Sequence, residues 1–200
     1  MMTFSEAQQD MRHAYYDGAA GMLVSATVWL SAATVAWQGT AQNAIATLLI
    51  GGMFIFPLSV ALSKLMGRSG VHSKQNPLSA LATTGTLWML LAIPIAYAAS
   101  LNKIEWFFPA MLLTIGGRYL TFSTLYGLRV YYWCGGALAV AGVTVVLFKM
   151  PVQIGAISGA LIEYIFGVLI FLKARSETSP VAHLPTSKSS RWRNHVGARV

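Results

Sequence analysis

The chain is short of charge. Asp, Glu, Lys and Arg together make up only 10% of its 200 residues, where a soluble domain carries roughly 25%. So few charges cannot clothe a water-facing surface. A soluble helix bundle, which needs a polar face on most of its helices, is excluded on the same ground. There is one cysteine, Cys134, which rules out an intrachain disulfide and a zinc site built on paired thiolates. The four histidines, at 13, 72, 183 and 195, are dispersed and form no His-x-x-x-His helix pair. No Walker-type phosphate loop and no dinucleotide fingerprint occurs, so neither a metal nor a cofactor is expected. The apolar runs carry serine but no histidine to activate it, which argues against a serine–histidine hydrolase within the membrane. A regular series of arginines is absent too, so the chain is no voltage sensor. Catalysis is therefore not expected.

A signal peptide is also missing. Residues 1–17 are polar and include Glu6, Asp10, Arg12 and Asp17, whereas a signal peptide opens on a basic segment followed by an apolar one. The first apolar stretch is thus expected to remain in the mature protein.

What the chain has in quantity is apolar sequence. Hydrophobic residues account for 56% of it, and the runs 19–39, 40–63 and 75–102 contain no Asp, Glu, Lys or Arg at all. A helix crosses about 30 Å of hydrocarbon in roughly 20 residues, at 1.5 Å per residue. Six stretches qualify, at about 18–37, 43–65, 78–99, 105–125, 130–148 and 152–172. The fold class expected is all-α, a polytopic membrane bundle of about six transmembrane helices. Pro57 and Pro94 do not demote their stretches, because membrane helices tolerate such breaks where neighbours satisfy the freed carbonyl. Each predicts a kink one turn upstream.

Lys and Arg alternate sides along these stretches. One side collects eleven of them, from Arg12 through Lys64, Arg68, Lys74 and Arg129 to the C-terminal cluster, and the other holds only Lys103 and Lys149. Basic residues favour the cytoplasmic side, so both termini are expected there, with the chain a multi-pass protein of the plasma (inner) membrane of a bacterium. The domain plan is then a cytoplasmic segment 1–17, a six-helix domain 18–172 and a basic cytoplasmic tail 173–200. The tail is rich in Ser, Pro and basic residues, a composition that cannot bury a core, and Arg191-Trp192-Arg193 could touch anionic lipid. Nucleic acid is not an expected partner, since topology alone demands positive inner segments. In segment 1–17, Thr3 and Glu6 have capping-box spacing. Phe4, Met11 and Tyr15 fall near one face, as in a helix lying on a membrane.

Only two charged residues lie well inside the stretches, Arg118 and Glu163. A charge at the centre of a membrane helix costs about 2.5–3.5 kcal/mol on insertion scales. Arg118 lies 13 residues after Glu105 and Glu163 lies 12 after Pro151, which puts both about 18–20 Å from the same surface. An Arg118–Glu163 pair is geometrically allowed. Around Glu163, Gly155, Gly159 and Gly167 recur every four residues, a small-residue face that lets helices approach closely. Thr114, Gly117, Arg118 and Thr121 share a small, polar face in the same way. The pair reads either as a structural staple fixing two helices or as a water-accessible site, with Glu163 accepting a proton or cation and Arg118 serving as counter-charge or anion anchor.

Hydroxyls form weaker patterns. Ser79, Thr83 and Thr86 make one stripe, and Ser59 and Ser63 another just past Pro57. Such groups usually bond the preceding turn of their own helix, or they line a cavity. The glycine pairs 51–52, 116–117 and 135–136 read as packing contacts.

Pro57-Leu58, Ser63-Lys64 and the run Ser73-Lys74-Gln75-Asn76-Pro77-Leu78-Ser79 resemble a family of small bacterial integral-membrane proteins of unknown function. The resemblance covers about a third of the chain and implies a location, with no activity and no site residue. It directs attention to the loop 64–79, where Asn76 before Pro77 is a natural turn and helix start. Two functions stand from the sequence. One is a small-solute or ion transporter or channel working through Arg118, Glu163 and the hydroxyl faces. The other is an accessory or regulatory membrane subunit that binds a partner through its inner loop and tail. The partners expected are membrane lipids, a second copy of the chain or another membrane protein.

Overall fold

A computed structural model describes residues 2–178. They form a short helix α1 (Phe4–Tyr15) and six long ones: α2 (Ala19–Gln38), α3 (Ala41–Leu65), α4 (Leu78–Asn102), α5 (Phe107–Tyr126), α6 (Val130–Leu147) and α7 (Val152–Thr178). No strand occurs among the described residues. The architecture is the helical bundle expected. Helix α7 runs six residues past the expected end at 172, since nothing before Pro180 breaks the helical pattern there. The rest of the tail, with Arg191-Trp192-Arg193, lies outside the described residues.

By length and composition, five helical stretches suit a membrane crossing, namely the one containing α2 and those of α3, α4, α6 and α7. Helix α5 is the long helix outside that set. It has the length, 20 residues, but its polar residues, Arg118 with Thr114, Tyr119, Thr121, Ser123 and Thr124, leave it without a stretch as apolar as those five. It packs against α4, α6, α7 and α1. A helix of that composition is tolerated in hydrocarbon where protein receives its charged residue.

Glycine decides how closely the helices pack. On α7, a Cβ at Gly155 would stand 2.8 Å from the Phe108 Cβ, one at Gly167 would stand 3.0 Å from Leu23, and one at Gly159 would run into the Trp29 ring. Trp29 and Phe108 are fully buried and lie with ring centroids 5.9 Å apart, so α2, α5 and α7 meet on this stripe. Each glycine pair divides its labour. Gly51 packs on Val28, and Gly116 and Gly135 pack on each other's backbones, while Gly52, Gly117 and Gly136 face open space. A period of 3.6 residues turns neighbours about 100° apart, so only one of two adjacent glycines can face the same partner.

Helices α3 and α4 are peripheral. The buried residues of α4 are only Leu78 and Ala96, and Met53 of α3 and Ile95 of α4 are 77% and 73% exposed. Pro57 and Pro94 lie within these two helices, which run on through them.

Between α1 and α2 the chain turns through Tyr16, Asp17 and Gly18, all with positive φ (55°, 57° and 86°). Two of these are not glycine, and such a conformation costs them of order 1 kcal/mol each. The turn is held by the Tyr131 hydroxyl, which donates to the Asp17 carbonyl at 2.6 Å. At Gly18 a side chain has no room, because a Cβ would lie 2.8 Å from the Tyr126 ring.

These packings make a contrast testable. Gly159→Ala should destabilise the protein by about 1–3 kcal/mol, the usual range for overpacking a tight core, whereas Gly52→Ala should leave it unchanged or slightly stabilised. Thermal unfolding of the two variants in detergent measures the difference.

Candidate functional site

Glu163 lies on the glycine face of α7 and is wholly buried. Tyr119 of α5 donates its hydroxyl to Glu163 Oε1 at 3.0 Å, and Ser25 of α2 faces the same carboxyl. The second oxygen, Oε2, has no hydrogen-bond partner. A carboxyl in the middle of the bundle is therefore met by the hydroxyls of Tyr119 and Ser25, with only the Tyr119 bond in full hydrogen-bond geometry.

Arg118 does not hydrogen-bond to it. Its Nη1 donates to the Met89 thioether at 3.1 Å and its Nη2 to the Thr86 hydroxyl at 3.2 Å, both on α4, and its guanidinium lies 5.3 Å from the Phe122 ring centroid. Its Nε is buried without a partner. The depth argument holds, because Tyr119, one position on, does meet Glu163. The face is what differs: neighbours on a helix point about 100° apart, so with Tyr119 turned to α7, Arg118 turns to α4. The expected Arg118–Glu163 pair is replaced by two separate intramembrane charges, one on each side of α5.

The hydroxyl stripes follow the commoner pattern for their kind. Ser63 donates to the Ser59 carbonyl, Thr83 to Ser79, Thr86 to Ala82 and Thr114 to Ala110, each one turn back. Ser59, Ser79 and Thr121 donate to the carbonyls of Phe56, Asn76 and Arg118, three residues back. Thr86 has a second role, as acceptor for Arg118. Two cavities stand out, and neither is lined by these residues. One, of about 550 Å³, is an open groove between α2 and α3 lined by Ser31, Asn43 and Thr47 among others. The other is smaller and lies where α6 begins.

From Glu163 an aromatic column runs toward the end of the bundle that holds α1, here termed the basic end. Tyr119 stacks on Tyr131 at 5.9 Å and Tyr131 on Tyr126 at 5.6 Å, with Phe122 edge-on to all three. Tyr119, Phe122 and Tyr126 are spaced three and four apart, so this face of α5 was legible as a stripe.

Helix α1 closes the basic end. Its capping box is formed: the Thr3 hydroxyl accepts from the Glu6 N–H, and the Thr3 N–H donates to the Glu6 carboxylate at 2.7 Å. That backbone bond holds the Glu6 carboxyl below its ordinary pKa. Met11 is buried against the bundle while Phe4 remains exposed, so the face expected to lie on lipid is split between core and surroundings. Gln8 Nε2 donates to the Thr124 carbonyl at 2.7 Å, Arg12 Nε to that of Tyr126 and Arg12 Nη2 to that of Gly127 at 3.1 Å. These are the carbonyls that the end of α5 leaves without a helical donor, and a cation suits that end of the dipole.

The other side of α1 holds the loop 66–77. Asp10 Oδ2 accepts from the Ser73 N–H at 2.9 Å and from Asn76 Nδ2 at 2.7 Å. Asn76 Nδ2 also donates to the Ala7 carbonyl, and its Oδ1 accepts from the Leu78 N–H, which starts α4. The Tyr15 hydroxyl lies 2.9 Å from His72 Nδ1, and Arg68 Nη1 lies 2.8 Å from His13 Nδ1. Asn76 was expected as a turn and helix start. Its grip on α1, 69 residues away for the Ala7 bond, carries no local signal.

The chain matches the model of a family of unknown function, DUF7010, over residues 4–173. It belongs to that family. The matched DUF7010 region takes in α1 and reaches nearly to the end of α7. No curated protein and no solved structure matches the chain.

Two measurements follow from the geometry. Asn76→Ala removes three hydrogen bonds from a site that is 2% exposed and should cost about 2–4 kcal/mol, read as a lower melting temperature in detergent. A double-mutant cycle on unfolding free energy should show Tyr119→Phe coupled to Glu163→Gln by about 1–2 kcal/mol, and more strongly than Arg118→Gln is coupled to Glu163→Gln.

Proposed function

We propose that this DUF7010 protein is a small carrier or channel for an ion or small solute, with Glu163 as the group that takes up and releases the proton or cation. One observation supports this reading above the others: Glu163 is completely buried, is held by Tyr119 through one oxygen, and leaves the other oxygen without a partner. Ionisable residues inside membrane helices are costly and by default mark ion or proton pathways. With Arg118 engaged on α4, the staple role loses its partner. Arg118 then acts as a separate cation on the far side of α5, an anchor for an anionic group. In this reading the basic end faces the cytoplasm of a bacterium, and α1 with the loop 66–77 stands over the inner end of the path to Glu163.

Reconstitution into liposomes tests the proposal. Proton, Na⁺ and K⁺ fluxes should exceed those of protein-free liposomes for at least one ion, and Glu163→Gln should return that flux to the background. Wild-type flux at background for all three ions, or full flux in the variant, would sink the assignment of Glu163.

A second reading, an accessory subunit, is favoured by the thin packing of α3 and α4, whose exposed apolar faces suit a membrane partner as well as lipid. Co-purification of a stoichiometric membrane protein under mild detergent, together with silent liposomes, would favour it.

A further inference from the structure

The start of α6 and the last turns of α7 enclose the smaller cavity, of about 160 Å³, at the basic end. Its two halves differ in chemistry. One wall is apolar, made by Val130, Leu169 and Ile170; the other carries Arg129, Lys173 and Asp17. Arg129 and Lys173 are exposed, and neither side chain has an ion-pair or hydrogen-bond partner among the described residues. Two free cations therefore converge on one cavity, while Lys64, Arg68 and Arg175 lie outside its lining.

The position of the cavity fits the boundary between hydrocarbon and water. Arg129 immediately precedes α6, and Lys173 follows the apolar run of α7. Tyr132 and Trp133, in the first turn of α6, are 55% and 75% exposed, as aromatic residues are at the headgroup level of a membrane. The cavity lies at the N-terminus of α6, where the helix dipole adds to the positive field. Asp17 contributes one negative charge, is 6% exposed, and has its backbone fixed by Tyr131. Arg129 and Lys173 outnumber the one carboxylate in the lining, so the cavity favours an anionic group.

We propose that this cavity is a binding site for the phosphodiester headgroup of an anionic phospholipid. The phosphate lies between Arg129 and Lys173, and the glycerol with its first methylenes lies against Val130, Leu169 and Ile170. The apolar wall is what favours a lipid over free phosphate, since phosphate alone would leave that wall uncovered. The site is independent of the role given to Glu163.

Native mass spectrometry of the full-length protein in detergent tests it, with phosphatidylglycerol, phosphatidylcholine and inorganic phosphate titrated separately. Phosphatidylglycerol should be retained at one saturable site and phosphatidylcholine at least tenfold more weakly. Arg129→Gln/Lys173→Gln should weaken phosphatidylglycerol binding by about thirtyfold, the loss expected for two surface cations. Lys103→Gln/Lys149→Gln, at the opposite end, should not change it. Both substituted side chains of the first variant are exposed, and its melting temperature checks that it is folded. Equal retention of the two lipids, or wild-type binding by the Arg129/Lys173 variant, would overturn the site. Inorganic phosphate binding as tightly as phosphatidylglycerol would overturn its assignment to a lipid.

Discussion

Helix α5 carries Arg118 and Tyr119 in mid-span, and the bundle receives both while leaving Leu113, Gly117 and Leu120 on the open face. Arg118, Tyr119 and a run of hydroxyls sit on one 20-residue helix. Each polar group in a bilayer has to find its partner inside the protein. The partners come from its neighbours: Thr86 and Met89 on α4, Glu163 on α7, and Gln8 and Arg12 on α1. Glycine makes the approach possible. Gly116 and Gly135 bring α5 and α6 into backbone contact, and Gly155 seats α7 on Phe108.

Two consequences run from this packing. The first concerns charge. Because α5 packs against both α4 and α7, its neighbouring residues 118 and 119 serve different helices, and the two intramembrane charges are kept apart. Glu163 is left with an unbonded oxygen and Arg118 with an unbonded Nε. A native structure rarely keeps such groups without a use. The second concerns the basic end. The last carbonyls of α5 need donors, and α1 supplies them. Once placed there, α1 offers Asp10 and the Ala7 and Ala14 carbonyls to the loop 66–77. The loop is thereby folded onto a helix instead of extending into solvent.

The sequence by itself determined the fold class, the helices and the approximate depth of each polar residue, because all three depend on local quantities. Apolar length sets a span, and 1.5 Å per residue sets a level. It also marked Gly155, Gly159 and Gly167 as one face, since the helical period alone puts them together. The tertiary structure decided which face meets which. Arg118 and Tyr119 lie at nearly the same depth, and only the rotation of α5 against its neighbours chose Tyr119 for Glu163. It likewise decided that Arg118 would turn to α4, and that Asn76 would reach across to α1. Those outcomes depend on angles and contacts between residues tens of positions apart, and a periodicity read along one helix contains nothing about the rotation of the next.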